Sequence, residues 1–177
     1  MTANALAADR YLLDPAHTQV IFKVDRFGLS NIYGSFADIS GELLLDETHP
    51  ENSSVNAVIK AGSLKSDNAM REEHVAGGHW LDAENFPDIT FISTKVESAG
   101  ETAIITGDLT VHGVTRQVTL NAALKKIGAD PVSKKKAAGF SASTSLNRHD
   151  FGVSIAEALI GADIEIMIET LAIAAED

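Results

Sequence analysis

Polar and apolar residues alternate with period two through most of this chain, and that feature excludes most folds open to it. Side chains two apart share one face of an extended strand, so the pattern demands half-buried sheet. It is cleanest from Thr102 to His112. There Ala103, Ile105, Gly107, Leu109 and Val111 share one face; Thr102, Thr106, Asp108, Thr110 and His112 share the other, with Ile104 the exception. The run Arg116 to Lys125 follows, with Val118, Leu120, Ala122 and Leu124 on one face. Gly113-Val114 stands between the runs with glycine first, as a two-residue type II′ turn prefers. A loop of those two residues sets His112 against Thr115. It pairs Leu109 with Val118, Gly107 with Leu120, Ile105 with Ala122 and Ala103 with Leu124. Apolar residues then meet apolar residues along the hairpin, a match that a one-residue slip destroys.

Seven more runs read as strands: Arg10 to Leu13, Gln19 to Phe27, Gly34 to Asp46, Ser54 to Ala61, Ile89 to Glu97, Ala138 to Asn147 and Ala162 to Ala172. In the last, Ile164, Ile166 and Ile168 oppose Asp163, Glu165 and Glu169. Phe36 and Ile39 are out of phase within their run, which predicts a bulge near Asp38. In Ile89 to Glu97 both faces are mixed, and the pattern does not say which points inward. Two segments break the alternation. Asp67 to Leu81 starts as a helix, with Ser66 or Asp67 as N-cap and Gly77-Gly78 as its end. Ser154 to Ile160 has the look of a short helical turn stopped by Gly161. Evenly spaced strands with so little helix predict a closed barrel or a sandwich.

The 177 residues suit one domain with a core of its own. Hydrophobic residues make up 45% and charged residues 22%, which is a globular composition. A net charge of −11 repels phosphate backbones and anionic headgroups, so no nucleic-acid partner is expected. The one basic run, Lys134-Lys135-Lys136, reads as a solvated loop tip. No cysteine is present, which removes disulfides, thiolate catalysis and thiolate zinc sites. No apolar stretch reaches bilayer-spanning length, so no stable membrane insertion is expected. Ala5-Leu6-Ala7 has the small-x-small form of a signal-peptide cleavage site, without the charged and hydrophobic parts ahead of it. Residues 1–9 therefore read as a tail, a possible leader remnant or simply Ala-rich chain, and residues 10–177 as one folded domain.

Familiar catalytic patterns are missing: no GxSxG elbow, phosphate loop, GxGxxG or HExxH occurs. His74 and His79, five apart, do not share a helical face, so no metal site is expected. Asn147-Arg148-His149-Asp150 is a dense polar cluster, but triad members converge from separate elements, whereas neighbours on one strand point apart. Such a cluster ties loops together by charge-assisted hydrogen bonds, or presents Arg148 or Asp150 to the polar end of a ligand. No residue is assigned a catalytic role.

Several blocks, in order along the chain, carry a family resemblance. They are Asp14-Pro15-Ala16-His17-Thr18 with the following Phe22-Lys23-Val24-Asp25-Arg26-Phe27-Gly28; Tyr33-Gly34-Ser35-Phe36 with Gly41; Phe86 to Thr94, an FPxxTFxST segment; Gly107 to Thr115, a GxLTxxGVT hairpin; and Arg148-His149-Asp150-Phe151-Gly152. Together they resemble YceI-like proteins from about Tyr11 to Glu169. The resemblance implies an all-β fold, an eight-stranded antiparallel lipocalin-like barrel with one or two short helices, filling 10–177. It implies a periplasmic, secreted protein and an interior pocket for a polyisoprenoid or similar long-chain lipid, with no other cofactor. It also allows pairing into homodimers. Many relatives carry His where this chain has Arg26.

The expected function is binding and sequestration or transport of a long apolar lipid, not catalysis. Pocket residues are drawn from the matched blocks and the apolar faces: Phe22, Val24, Phe27, Phe36, Phe91, Leu109, Leu120, Phe140, Leu146 and Phe151. His17, Arg26, Arg148 and Asp150 are candidates for the pocket mouth or a lipid headgroup. The small residues Ala57, Ala61, Ala103, Gly107, Ala122 and Ala142 favour a cavity over a packed interior. Two alternatives stand beside this reading. One is an enzyme using His17, Arg148, His149 and Asp150 on a bound small molecule. The other is a filled barrel acting through its surface as a stress-related interaction protein.

Overall fold

A computed structural model describes residues 8–176; residues 1–7 of the expected tail, Ala5-Leu6-Ala7 among them, lie outside the described residues, while Asp9 opens the first strand. The alternating runs become eleven strands: β1 (Asp9–Leu13), β2 (Gln19–Arg26), β3 (Ser30–Phe36), β4 (Ile39–Leu45), β5 (Ser54–Lys60), β6 (Leu64–Lys65), β7 (Asp88–Ala99), β8 (Thr102–Val111), β9 (Val114–Ala129), β10 (Lys136–Asn147) and β11 (Ile160–Ala174). Six of these strands combine in pairs. β1 and β2 run one after the other along the same edge of β11. β3 lies along β2 while β4 lies along β1. β5 pairs with β4 while β6 pairs with β3. The result is eight kinked staves, each antiparallel to the next in sequence, closed by the pairing of β1 and β2 with β11. Closure removes the free edges that a flat sheet would expose.

The kinks are hydrogen-bonded structures. Between β1 and β2, Asp14 accepts from the Ala16 amide at 2.9 Å, and its second oxygen lies 2.7 Å from His17 Nδ1. Between β3 and β4, the predicted bulge falls at Ala37 and Asp38, whose amides donate to the Ser63 carbonyl and hydroxyl. The Asp38 carbonyl in turn accepts from the Lys60 amide. One kink is thus stitched to the next.

The end of the barrel at which β1 begins is plugged. Tyr11, Ala138 and Ala172 are fully enclosed there, with Leu13, Leu43, Leu45, Ile127 and Phe140 packed around them. Desolvation pushes the Tyr11 hydroxyl up in pKa, opposed by the neighbouring Lys136. Lys136 ties the rim of this end together through Asp9 at 2.8 Å and Glu47 at 2.5 Å. The opposite end carries the β2–β3 turn, the long β6–β7 excursion, the β8–β9 turn and the β10–β11 excursion.

Four expectations need correction. First, the β8–β9 turn is His112-Gly113, with φ of 51° and 73°, and Val111 pairs with Val114. The register is therefore Ile105 to Leu120, Gly107 to Val118 and Ala103 to Ala122. Two consecutive positive φ angles are what a type I′ turn requires. Second, the helix α1 (Ala69–Ala76) is capped by Asn68, whose side chain accepts from the Arg71 amide. Asp67 cannot serve because its φ is 57°, far from the extended conformation an N-cap needs. The predicted end does hold: Gly77 follows the last helical residue. Third, within the expected helical stretch residues 155–159 form turns, not a helix, and Ile160 already opens β11. The Leu159 and Ile160 amides both donate to the Ala156 carbonyl. A short 3-10 turn occurs earlier, at Arg148–Phe151. Fourth, β3 starts at Ser30, before the expected Gly34. Among the described residues no helix is long and apolar enough to cross a membrane.

Candidate functional site

Strand parity builds a cavity inside the barrel. Every stave turns alternate residues inward: Val20, Phe22 and Val24 on β2, Val55, Ala57 and Ile59 on β5, Val118, Leu120 and Ala122 on β9, and Ile164, Ile166 and Ile168 on β11. The enclosed space is about 660 Å³, and its wall is overwhelmingly hydrocarbon. Ligand sites generally occupy about 300–1,000 Å³. The mixed run of β7 resolves here as well: Ile89 and Phe91 face inward, while Ile92 is exposed.

Two glycines shape the wall. A Cβ on Gly107 would lie 2.5 Å from the Phe91 ring and 2.6 Å from the Ile92 carbonyl oxygen. A Cβ on Gly34 would run into the Phe22 ring. Each glycine lets a phenylalanine lie against the sheet instead of across the lumen. The space that two larger side chains would fill stays open.

All ten apolar residues anticipated from the sequence line the cavity: Phe22, Val24, Phe27, Phe36, Phe91, Leu109, Leu120, Phe140, Leu146 and Phe151. The four polar candidates scatter. Arg26 lines the open end, its guanidinium carbon 4.0 Å from the Phe27 ring centroid. Arg148 also reaches the wall but is 6% exposed. Its guanidinium donates to four backbone carbonyls: Val153 at 2.7 Å, Ile155 at 2.8 Å, and Ile160 and Gly161 at 2.9 Å each. Desolvation lowers its basicity, against the pull of Glu157. It works mainly as a strut for the β10–β11 excursion. His17 sits outside the lumen, paired with Asp14 at the β1–β2 kink. Asp150 is exposed and lies outside the main lining.

Among the lining residues not anticipated from the sequence are five from the β6–β7 excursion: Arg71, His74, Val75, Trp80 and Leu81 roof the cavity beside Arg26. Nothing in the local pattern announces that this excursion folds back over the barrel. The Trp80 ring stacks within 5.4 Å of the Arg148 guanidinium and 6.2 Å from the His74 ring. Its indole nitrogen is buried without a partner. Among the described residues, no carboxylate lines the cavity, and its hydroxyls belong to threonines: Thr18, Thr144 and Thr170. Thr18 and Thr170 satisfy each other at 2.8 Å.

Comparison with known proteins places this architecture. The family model of the YceI-like domain matches residues 11–172. A UPF0312 protein of Pseudomonas putida is 40% identical over 156 residues, which is 86% of this chain and 81% of that protein. A UPF0312 protein of Pseudomonas syringae pv. tomato is 40% identical over 153 residues, 85% and 79%. Among solved structures, BcnA of Burkholderia cenocepacia superposes with a TM-score of 0.81 at 23% identity, covering 90% of this chain and 98% of its own. The Campylobacter jejuni YCEI protein gives 0.74 at 28% identity, covering 84% and 88%. A polyisoprenoid binding domain from Saccharophagus degradans gives 0.72 at 12% identity, covering 95% and 99%.

Proposed function

The chain belongs to the YceI-like family, and on that premise we propose that its barrel takes up one long apolar molecule, polyisoprenoid-like, and sequesters or carries it without reacting it. The observation that carries this reading is the hydrocarbon-lined cavity of about 660 Å³. Burying each CH₂ of a chain contributes about 0.8 kcal/mol, so a long chain binds tightly with no special contact to its polar end. The description of the Saccharophagus degradans neighbour as polyisoprenoid binding supports the ligand class. The lining supports carriage over catalysis: among the described residues it offers arginines, one histidine and threonines, and no acid–base pair of the kind that hydrolytic or isomerising chemistry uses.

Arg26 and Arg71 at the open end supply fixed positive charge in a chain that is otherwise strongly acidic. An anionic end, phosphate or carboxylate, is drawn there, and guanidinium forks match either group. Export to the periplasm belongs to the same proposal, since a lipid in transit between membranes needs a water-soluble holder.

The test uses Trp80, the one tryptophan of the chain, which lies on the cavity wall. Titration with cis-parinaric acid, a fluorescent polyene fatty acid, should give saturable energy transfer from Trp80 at one probe per chain. Added geranylgeraniol should reverse it. Unchanged Trp80 emission over the whole titration would refute the reading.

A further inference from the structure

The ladder between β9 and β10 stops part-way. It runs from Lys136↔Ala129 to Ser143↔Asn121. Both strands continue beyond that point. Residues 114–120 of β9 pair with β8, and residues 144–147 of β10 pair with β11, but not with each other. Two strand edges therefore part, unladdered, beyond the Ser143↔Asn121 pair.

A second cavity, of about 370 Å³, occupies this split. Its outer lips are polar: Gln117 and Thr119 on β9, Ser145 and Asn147 on β10. Its floor is formed by Val118, Thr144, Leu146 and Phe151, and these four residues also line the main cavity. One layer of side chains separates the slot from the lumen. The cause of the split is local. After Asn147 the chain enters the 3-10 turn, and Phe151, 3% exposed, is buried beside the parting strands. Gly152 follows against Val114 and His112.

Open strand edges leave amide and carbonyl groups that only water or another polar partner can satisfy. A fold that retains such edges beside its own cavity keeps a wet path to a dry lumen. The path matters for any amphiphile. Drawing a polar end through a hydrocarbon interior strips its hydration with nothing in exchange. Sideways entry avoids that, because the chain passes between the strands while the polar end stays on the lips.

We propose that the β9–β10 split is a lateral port, through which the apolar chain of an amphiphile enters and leaves the barrel while its polar end travels along the slot, to rest at the open end beside Arg26 and Arg71. Leu146 and Phe151 are its gate. The port rests on the reading that the barrel holds a long apolar chain.

The test closes the port covalently. Continuing the register of Ser143↔Asn121 sets Thr119 across from Ser145. The chain has no cysteine, so Thr119→Cys with Ser145→Cys gives two unique thiols. A short bismaleimide then bridges the strands, and mass spectrometry verifies the link. Stopped-flow transfer of cis-parinaric acid between the protein and phosphatidylcholine vesicles is compared before and after linking. Uptake and release should both slow by about tenfold or more, with their ratio kept. Unchanged rates after complete linking overturn the port and leave sequestration standing. If the unlinked variant and the parent chain both fail to bind the probe, sequestration itself falls and the port falls with it. Phe151→Ala should speed both steps. Because that residue is buried, the linked variant is the deciding one.

Discussion

Arg148 lies among Val153, Ile155, Ile160 and Gly161, each giving a carbonyl to its guanidinium. A lysine there keeps the charge but cannot fork to four acceptors. Arg148→Lys should lower unfolding stability by about 2–4 kcal/mol, since buried carbonyls lose their donors. Urea denaturation measures it. Loss of lipid affinity at full stability would instead make Arg148 a headgroup ligand. Asp46 offers a second test at the same scale. Amides of His49 and Thr48 and the Thr48 hydroxyl donate to it and hold its carboxyl at about 2, against an ordinary 3.8. A depressed carboxylate pKa stabilises the folded chain above the unfolded value, and that contribution fades as pH falls through the folded one. Wild type should therefore lose melting temperature between about pH 4 and pH 2, and Asp46→Asn should lose less over that window. Parallel melting curves for the two chains would count against the capping role.

At the scale of elements, the alternation reveals which residues face inward but not which residue stands opposite which. The hairpin of β8 and β9 shows why. Shifting its register by two residues leaves every face unchanged, so Gly113-Val114 and His112-Gly113 satisfy the apolar pattern equally. Only the turn conformation separates them, and it follows the positive φ angles at His112 and Gly113. Gly113→Ala combines that strained φ with a Cβ 2.5 Å from the Phe86 ring. It should cost about 1–3 kcal/mol, read from thermal or chemical unfolding. A neutral substitution would contradict the turn. The helix was legible in outline from Gly77 and its polar start. Its cap was not, because Asp67 and Asn68 differ in backbone angle more than in chemistry. The turn that follows Ser154 is not legible in the sequence, because the Ile155 and Ile160 carbonyls are taken up by the nearby Arg148 side chain and not by a helical ladder.

For the whole molecule, closure of eight staves came from the order of motif blocks, since periodicity alone left barrel and sandwich both open. The aromatic wall residues were legible because they sit in those blocks on apolar faces. The roof of Arg71, His74 and Trp80 was not, because its place depends on how an excursion folds back. Nor was the β9–β10 split, since both strands alternate normally through it. If the lumen is the working part, filling it should abolish uptake without unfolding the barrel. Ala122→Phe projects a ring inward from mid-β9. It should cost about 1–3 kcal/mol for overpacking at most, keep the β-sheet circular dichroism, and suppress Trp80 energy transfer to cis-parinaric acid. Full uptake by that variant would place the probe outside the barrel.

The central claim, that this barrel holds one long apolar molecule, is tested most directly by native mass spectrometry of the purified chain, followed by solvent extraction and identification of what is released. The account predicts a mass increment of a single long-chain lipid per chain, lost on extraction and restored by added polyisoprenol. A chain that flies at its bare mass and takes up neither isoprenoids nor fatty acids would contradict it.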